Sequence, residues 1–222
     1  MKKESRLLLH LEEFNRKERF FLVGMALGNP EFRLGEEFRE RLAQKLSLQV
    51  PRDAFVAMDY HLDWLAASLF LAANEGNPGP YPRNPAIISA TQEDIDLLVA
   101  YESEEGCHIV LLEAKGVTAF SNAQFRHKME RLNAIFGSRD VEGADALPHF
   151  VLVSPRPPEL LDFDCCSDWM RGQDGKPLWL KLQLSPVKLK KVVRCEQNET
   201  VSQEGHYRMV VPEARSSRAT QP

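Results

Sequence analysis

The sequence has no apolar run approaching the roughly 20 residues that a membrane span requires, so no membrane partner is expected. Cysteine is scarce. Cys107, Cys165, Cys166 and Cys195 form no C-x-x-C pair, which argues against a zinc finger and fits reduced thiols in a cytoplasmic protein. The histidines at 10, 61, 108, 127, 149 and 206 show no metal-ligand spacing. There is no glycine-rich phosphate loop, and Ser154 and Ser185 lack a nucleophile-elbow context. Positive charge is not in excess: 28 Lys+Arg stand against 32 Asp+Glu, a net −4, so the protein is not coated in cations. A basic groove within an acidic chain is still compatible with a nucleic-acid partner. The start, basic to Arg6 and apolar from Leu7, turns acidic at Glu12-Glu13 and does not read as a secretory signal.

What is present is an ordinary globular composition over 222 residues, 43% hydrophobic and 27% charged, enough for a sizeable core. Residues 1–24 read as a helix, with Leu7, Leu11, Phe14 and Phe21 at three- and four-residue steps; Gly28-Asn29-Pro30 breaks it. A second helix is expected over 35–48. A third, strongly apolar on one stripe (Phe55, Met58, Leu62, Leu65, Ala66, Leu69, Ala73), is expected over 54–73. Residues 74–85, rich in Pro and Gly, read as an exposed loop. Strands are expected at 86–89, 95–101 and 108–117, the last two joined in a hairpin by a turn at Gly106. A helix over 122–136, stopped by Gly137, leads to a strand at 150–153. Strands of an added sheet are expected at 178–184, 191–195 and 207–211, and residues 213–222 read as a disordered tail.

The chemistry concentrates in Asp96 and the run Glu113-Ala114-Lys115. Strand alternation puts Glu113 and Lys115 on one face, and a hairpin at Gly106 brings Asp96 beside Glu113. Two neighbouring carboxylates repel unless a cation lies between them. Asp96, Glu113 and the Ala114 carbonyl would suit Mg²⁺ or Mn²⁺, a hard ion that takes oxygen ligands. Lys115 would then orient a water or stabilise charge developing on phosphorus. The alternative is a structural Glu113–Lys115 salt bridge at a sheet edge. The similar triplet Asp174-Gly175-Lys176, flanked by Gly172, reads as a turn; the Glu113 triplet follows Ile109-Val110-Leu111-Leu112, a central-strand run.

With these residues, positions 53–155 resemble the core of the PD-(D/E)XK nucleases, a restriction-endonuclease-like fold of helix, three-stranded meander, helix and strand. The matching motif is Asp96 on the second strand and Glu113-Ala114-Lys115 on the third; Ile95 stands where the family name has Pro. The resemblance covers under half of the chain. It implies metal-dependent cleavage of DNA, less often RNA. It also implies an acid from the first core helix, for which Asp63 is preferred to Asp59 and Glu75 is weaker, and a polar stripe on the helix after Lys115, carried by Gln124 and Lys128. Arg131, next on that stripe, is as readily an ordinary exposed residue.

The expectation is therefore an α/β protein: an N-terminal helical region (1–52), a nuclease-like core (53–155), a β-rich extension packed on it (156–212) and a tail. Asp96, Glu113 and Ala114 bind the metal. Lys115, Asp63 and Gln124 complete the catalytic set, and Lys128 contacts nucleic acid. A homodimer would allow both strands of a duplex to be cut. The rival is a non-catalytic nucleic-acid-binding or assembly module that keeps the fold. Lys188, Lys190, Lys191 and Arg194, the densest basic cluster, would track phosphates or guard an exposed edge strand. Trp64, Trp169 and Trp179 read as core or interface aromatics.

Overall fold

The computed structural model describes residues 6–77, 79–80, 84–88, 93–184 and 190–212. The expected tail and Lys188 lie outside the described residues. A mixed five-stranded sheet runs β1 (Phe55–His61), β2 (Asp94–Glu102), β3 (Cys107–Ala114), β4 (Ala146–Ser154) and β5 (Leu178–Lys181), in that spatial order. The first three strands are antiparallel neighbours; β4 and β5 continue in parallel. Helices cover both faces. On one face α1 (Arg6–Phe14), α4 (Leu62–Ala73) and α5 (Asn122–Phe136) bring Leu7, Leu11, Leu65, Leu69, Met129 and Leu132 against Leu98, Ile109, Leu111 and Phe150. On the other, Leu42 of α3 (Glu36–Leu46) packs with Val99, Val110, Leu112 and Val151. No described helix is long and apolar enough to cross a membrane.

β3 is central because it is apolar on both faces, as strands buried between helical layers are. Ile109, Val110, Leu111 and Leu112 are all within 1% of full burial. Each such side chain contributes about 1.5–3 kcal/mol, which offsets the cost of holding Glu113, only 8% exposed, in the same strand. β2 and β3 turn through Gly106, whose φ of +147° and tight approach to the Asp145 backbone suit glycine alone. Gly137 closes α5 by donating its amide to the Asn133 carbonyl at 2.9 Å.

Several expectations are corrected. Residues 54–73 are not one helix: 55–61 form β1, and α4 starts at Leu62, capped by His61, whose ring accepts from the Asp63 amide. Val56, Ala57 and Tyr60 are also buried, so the segment is apolar around its circumference and the helical stripe is only part of its pattern. Residues 85–87 make a turn rather than a strand, so the meander opens with β1 and carries α4 between its first and second strands. The N-terminal helix is broken into α1, α2 (Glu18–Phe21) and a π-helical turn at Leu22–Ala26. Leu7 and Leu11 of α1 belong to the main core. β5 extends the main sheet; only β6 (Lys190–Cys195) and β7 (Tyr207–Pro212) form a separate one. The three tryptophans are partly buried against the core.

Candidate active site

The register of the β2–β3 ladder places the two carboxylates. Leu97 pairs with Leu112, so the next step brings Asp96 across from Glu113. Asp96 Oδ2 accepts from the Ala114 amide at 2.6 Å, which fixes the carboxylate against β3. A strand residue sends its amide and carbonyl to the same side, so the Ala114 carbonyl leaves β3 toward Asp96 as well. Glu113 is met by two ammonium groups: Lys128 Nζ at 2.5 Å from Oε2 and Lys115 Nζ at 3.8 Å from Oε1. Burial pushes the Glu113 carboxyl above its ordinary value; Lys128 pulls it back, and Asp96 adds to the rise.

Asp96, Glu113, Lys115 and Lys128 line one cleft of about 530 Å³, together with Gln124, Phe120, Ser121, His127, Glu93 and Asp94. Gln124 and Lys128 reach it from α5 because residues four apart share a helix face. Lys115 Nζ lies 6.0 Å from the Phe120 ring centroid, within cation–π range.

Asp63 does not line this cleft. It is bound to the Arg131 guanidinium, which also reaches Glu93 at 3.3 Å and is itself 4% exposed at the side chain. Arg131 is thus not an exposed helix residue but a buried cation tying α4, α5 and the entry to β2. Asp59 does not line the cleft either, but its backbone stands in register with Asp96. At φ +50° it interrupts the β1–β2 ladder between Met58↔Leu97 and Tyr60↔Ile95, which sets it across from Asp96. Burial raises its carboxyl; Arg19, at 2.8 Å, opposes this, while Asp94 and Asp96 reinforce it. The expectation of Asp59 on a helix is corrected with that of β1.

Asp94, Glu93 and His127 were not singled out by sequence. Asp94 had a signal: it stands two before Asp96, hence on the same strand side. It is paired with Lys17 at 2.9 Å, a partner 77 positions away that no spacing reveals. Glu93 accepts from His127 at 3.3 Å and from Arg131. His108 and His149, scattered in sequence, meet at 2.9 Å across β3 and β4. The Asp174-Gly175-Lys176 triplet lies in a turn, where Asp174 Oδ1 accepts from the Lys176 amide.

Among the described residues, no group of three or more His, Cys, Asp and Glu side chains is arranged to hold a metal ion. Asp96, Glu113 and the Ala114 carbonyl form a smaller, all-oxygen set. Its chemistry fits a hard divalent cation that keeps several waters, with Lys128 and Lys115 supplying the positive charge beside Glu113 when none is bound. No family model, curated protein or solved structure matches the chain.

Proposed function

We propose that the chain is a metal-dependent nuclease that hydrolyses phosphodiester bonds, with DNA as substrate and Mg²⁺ or Mn²⁺ as cofactor. One observation supports this most: Asp96 and Glu113 on neighbouring strands, Lys115 just past the end of β3, and Gln124 and Lys128 on a helix line a single cleft. Asp96, Glu113 and the Ala114 carbonyl would hold the cation, which supplies Lewis acidity toward a phosphate oxygen and acidifies bound water. Lys115, beside Glu113 and near the Phe120 ring, would hold the attacking water or offset charge growing on phosphorus. Gln124 has an amide to orient a phosphate oxygen. Lys128 neutralises Glu113 and, once released from it, meets the phosphate backbone. Asp63 carries no step in this scheme; its charge is committed to Arg131.

The test is Mn²⁺ binding measured by calorimetry alongside cleavage of single- and double-stranded DNA and RNA. Wild type should bind Mn²⁺ weakly and cleave only with metal, and Glu113→Gln should lose both while keeping its fold. Cleavage that persists in a chelator would overturn the mechanism.

A second reading, a nucleic-acid-binding or assembly module without catalysis, draws on the pairing of both Glu113 oxygens with lysines, which satisfies the carboxylate internally. It predicts no Mn²⁺ binding at all.

A further inference from the structure

β6 and β7 form a two-stranded antiparallel ribbon, with Lys190 opposite Pro212, Val192 opposite Val210 and Arg194 opposite Arg208. These six residues share one face, and all six are exposed; Val192 and Val210 are each 64% exposed. On the other face Cys195 is buried and Val193, Met209 and Val211 are half-buried, while Lys191 and Tyr207 at its two ends are exposed. The outer face therefore carries three cations and two bare valines, and no acid. Among the described residues, no carboxylate forms an ion pair with Lys190, Arg194 or Arg208; Arg194 Nη1 donates to the Gln203 carbonyl at 3.2 Å. Like charges directly opposite across a ladder are destabilising. Arg194 facing Arg208 is such a pair, in a protein whose net charge is −4. An anion bound at this face would relieve the repulsion.

We propose that this face binds duplex DNA, the ribbon lying in the major groove with Lys190, Arg194 and Arg208 on phosphates. A two-stranded ribbon fits the major groove of B-form DNA, about 12 Å wide, and the exposed valines suit packing against thymine methyl groups. The deep, narrow major groove of A-form RNA does not admit it. The ribbon is tethered near the cleft. Leu184 Cδ2 lies 3.9 Å from the Cβ position of Gly116, the residue after Lys115, and only residues 185–189 separate Leu184 from Lys190. At roughly 3.6 Å per residue the ribbon starts no more than about 22 Å from Leu184, within reach of a duplex seated at the cleft. The choice of DNA as ligand rests on the nuclease reading; the charge and shape of the face do not. A basic ribbon that only deters edge-to-edge aggregation would leave DNA binding unchanged when its arginines are replaced.

The experiment uses the full chain and a fluorescein-labelled 20-base-pair DNA duplex, followed by anisotropy across a salt series without divalent metal. The Arg194→Glu/Arg208→Glu variant should bind at least tenfold more weakly. Its log Kd against log salt should be shallower by about 2, because each arginine taken off a phosphate removes one released counterion. The milder Arg194→Gln/Arg208→Gln variant should move the same way, and a circular-dichroism melt should confirm that both are folded. The charge-matched control Arg33→Glu/Arg52→Glu should bind within twofold of wild type. The proposal is overturned if wild type does not bind the duplex, if the ribbon variants bind like wild type, if the control is weakened as much as they are, or if duplex RNA competes equally. Cleavage assays on the same proteins separate the two readings. Wild type that binds through the ribbon but never cleaves removes the nuclease and keeps the ribbon; wild type that cleaves, with ribbon variants binding normally, does the reverse.

Discussion

Arg131 is the residue whose environment departs furthest from an ordinary helix surface. Its guanidinium, 4% exposed, is shared by Asp63 and Glu93, both below 20% exposure at the side chain. Removing a buried ion's partner strands the remaining charges, at a cost of about 3–5 kcal/mol. Arg131→Ala should therefore lose stability in that range, read from the urea midpoint. Asp63→Asn should lose less and leave Mn²⁺ affinity unchanged, because Asp63 does not line the cleft. Asp59→Asn should change Mn²⁺ affinity only modestly, because Asp59 also lies outside the cleft lining and acts on Asp96 through its charge alone. The histidine pair gives a pH signature. His108 stacks between Tyr101 and His149 and meets the Ser103 hydroxyl at 3.0 Å. Burial lowers both imidazoles, His149 to about 4, where His108 adds to the fall; Glu105 and Glu102 act on His108 in the opposite sense. Between an unfolded value of about 6.5 and that folded value, the unfolded chain binds more protons. The pair's contribution is thus full above about pH 6.5 and is lost as pH falls toward 4. The stability difference between wild type and His149→Gln should shrink over that window in urea titrations at fixed ionic strength.

At the level of elements, the turn that aligns the carboxylates depends on one glycine. A Cβ on Gly106 would lie 2.5 Å from the Asp145 carbonyl oxygen, which accepts from the Cys107 amide, and φ is +147°. Gly106→Ala should cost about 1–3 kcal/mol, seen as a lower melting temperature. Because the same turn fixes Asp96 against Glu113, it should also weaken Mn²⁺ binding. This hairpin was legible in the sequence, since a continuous apolar run ending in Glu-x-Lys and a turn glycine are local signals. So was α5, with its apolar face and terminal Gly137. β1 was not legible. Phe55, Met58 and Leu62 fall on helical spacing, and only the tertiary burial of Val56, Ala57 and Tyr60 on both sides of the segment decides for a strand. The place of Asp59 is hidden for the same reason: its position across from Asp96 depends on a ladder that local spacing does not encode. Lys128 and Gln124 were readable from a four-residue step; Arg131 sits on the same stripe, and nothing in that step distinguishes a cleft-facing cation from a buried one.

Across the whole molecule the N-terminal segment is packed into the core and pairs with acids beside the candidate site. Leu7 and Leu11 are fully buried in the main core, and the Tyr60 hydroxyl donates to the Leu11 carbonyl at 2.9 Å. From that anchor the chain runs to Lys17 and Arg19, which pair with Asp94 and Asp59. Two cations from a segment distant in sequence therefore offset two acids that flank Asp96. Replacing them leaves the cleft more negative without touching the groups proposed to hold the metal. In a water-filled cleft a unit charge at this remove contributes about 0.5–1 kcal/mol, roughly two- to fivefold in a dissociation constant. Lys17→Gln and Arg19→Gln should each tighten Mn²⁺ binding by about that factor, measured by calorimetry. The gain should shrink at high salt, because exposed charges are screened; Arg19, 65% exposed, should be screened more than Lys17 at 26%. Duplex binding should move the opposite way, since the same loss of cations raises repulsion of phosphates. Two variants that neither tightened metal binding nor weakened DNA binding would mean that the cation sits elsewhere than between Asp96 and Glu113.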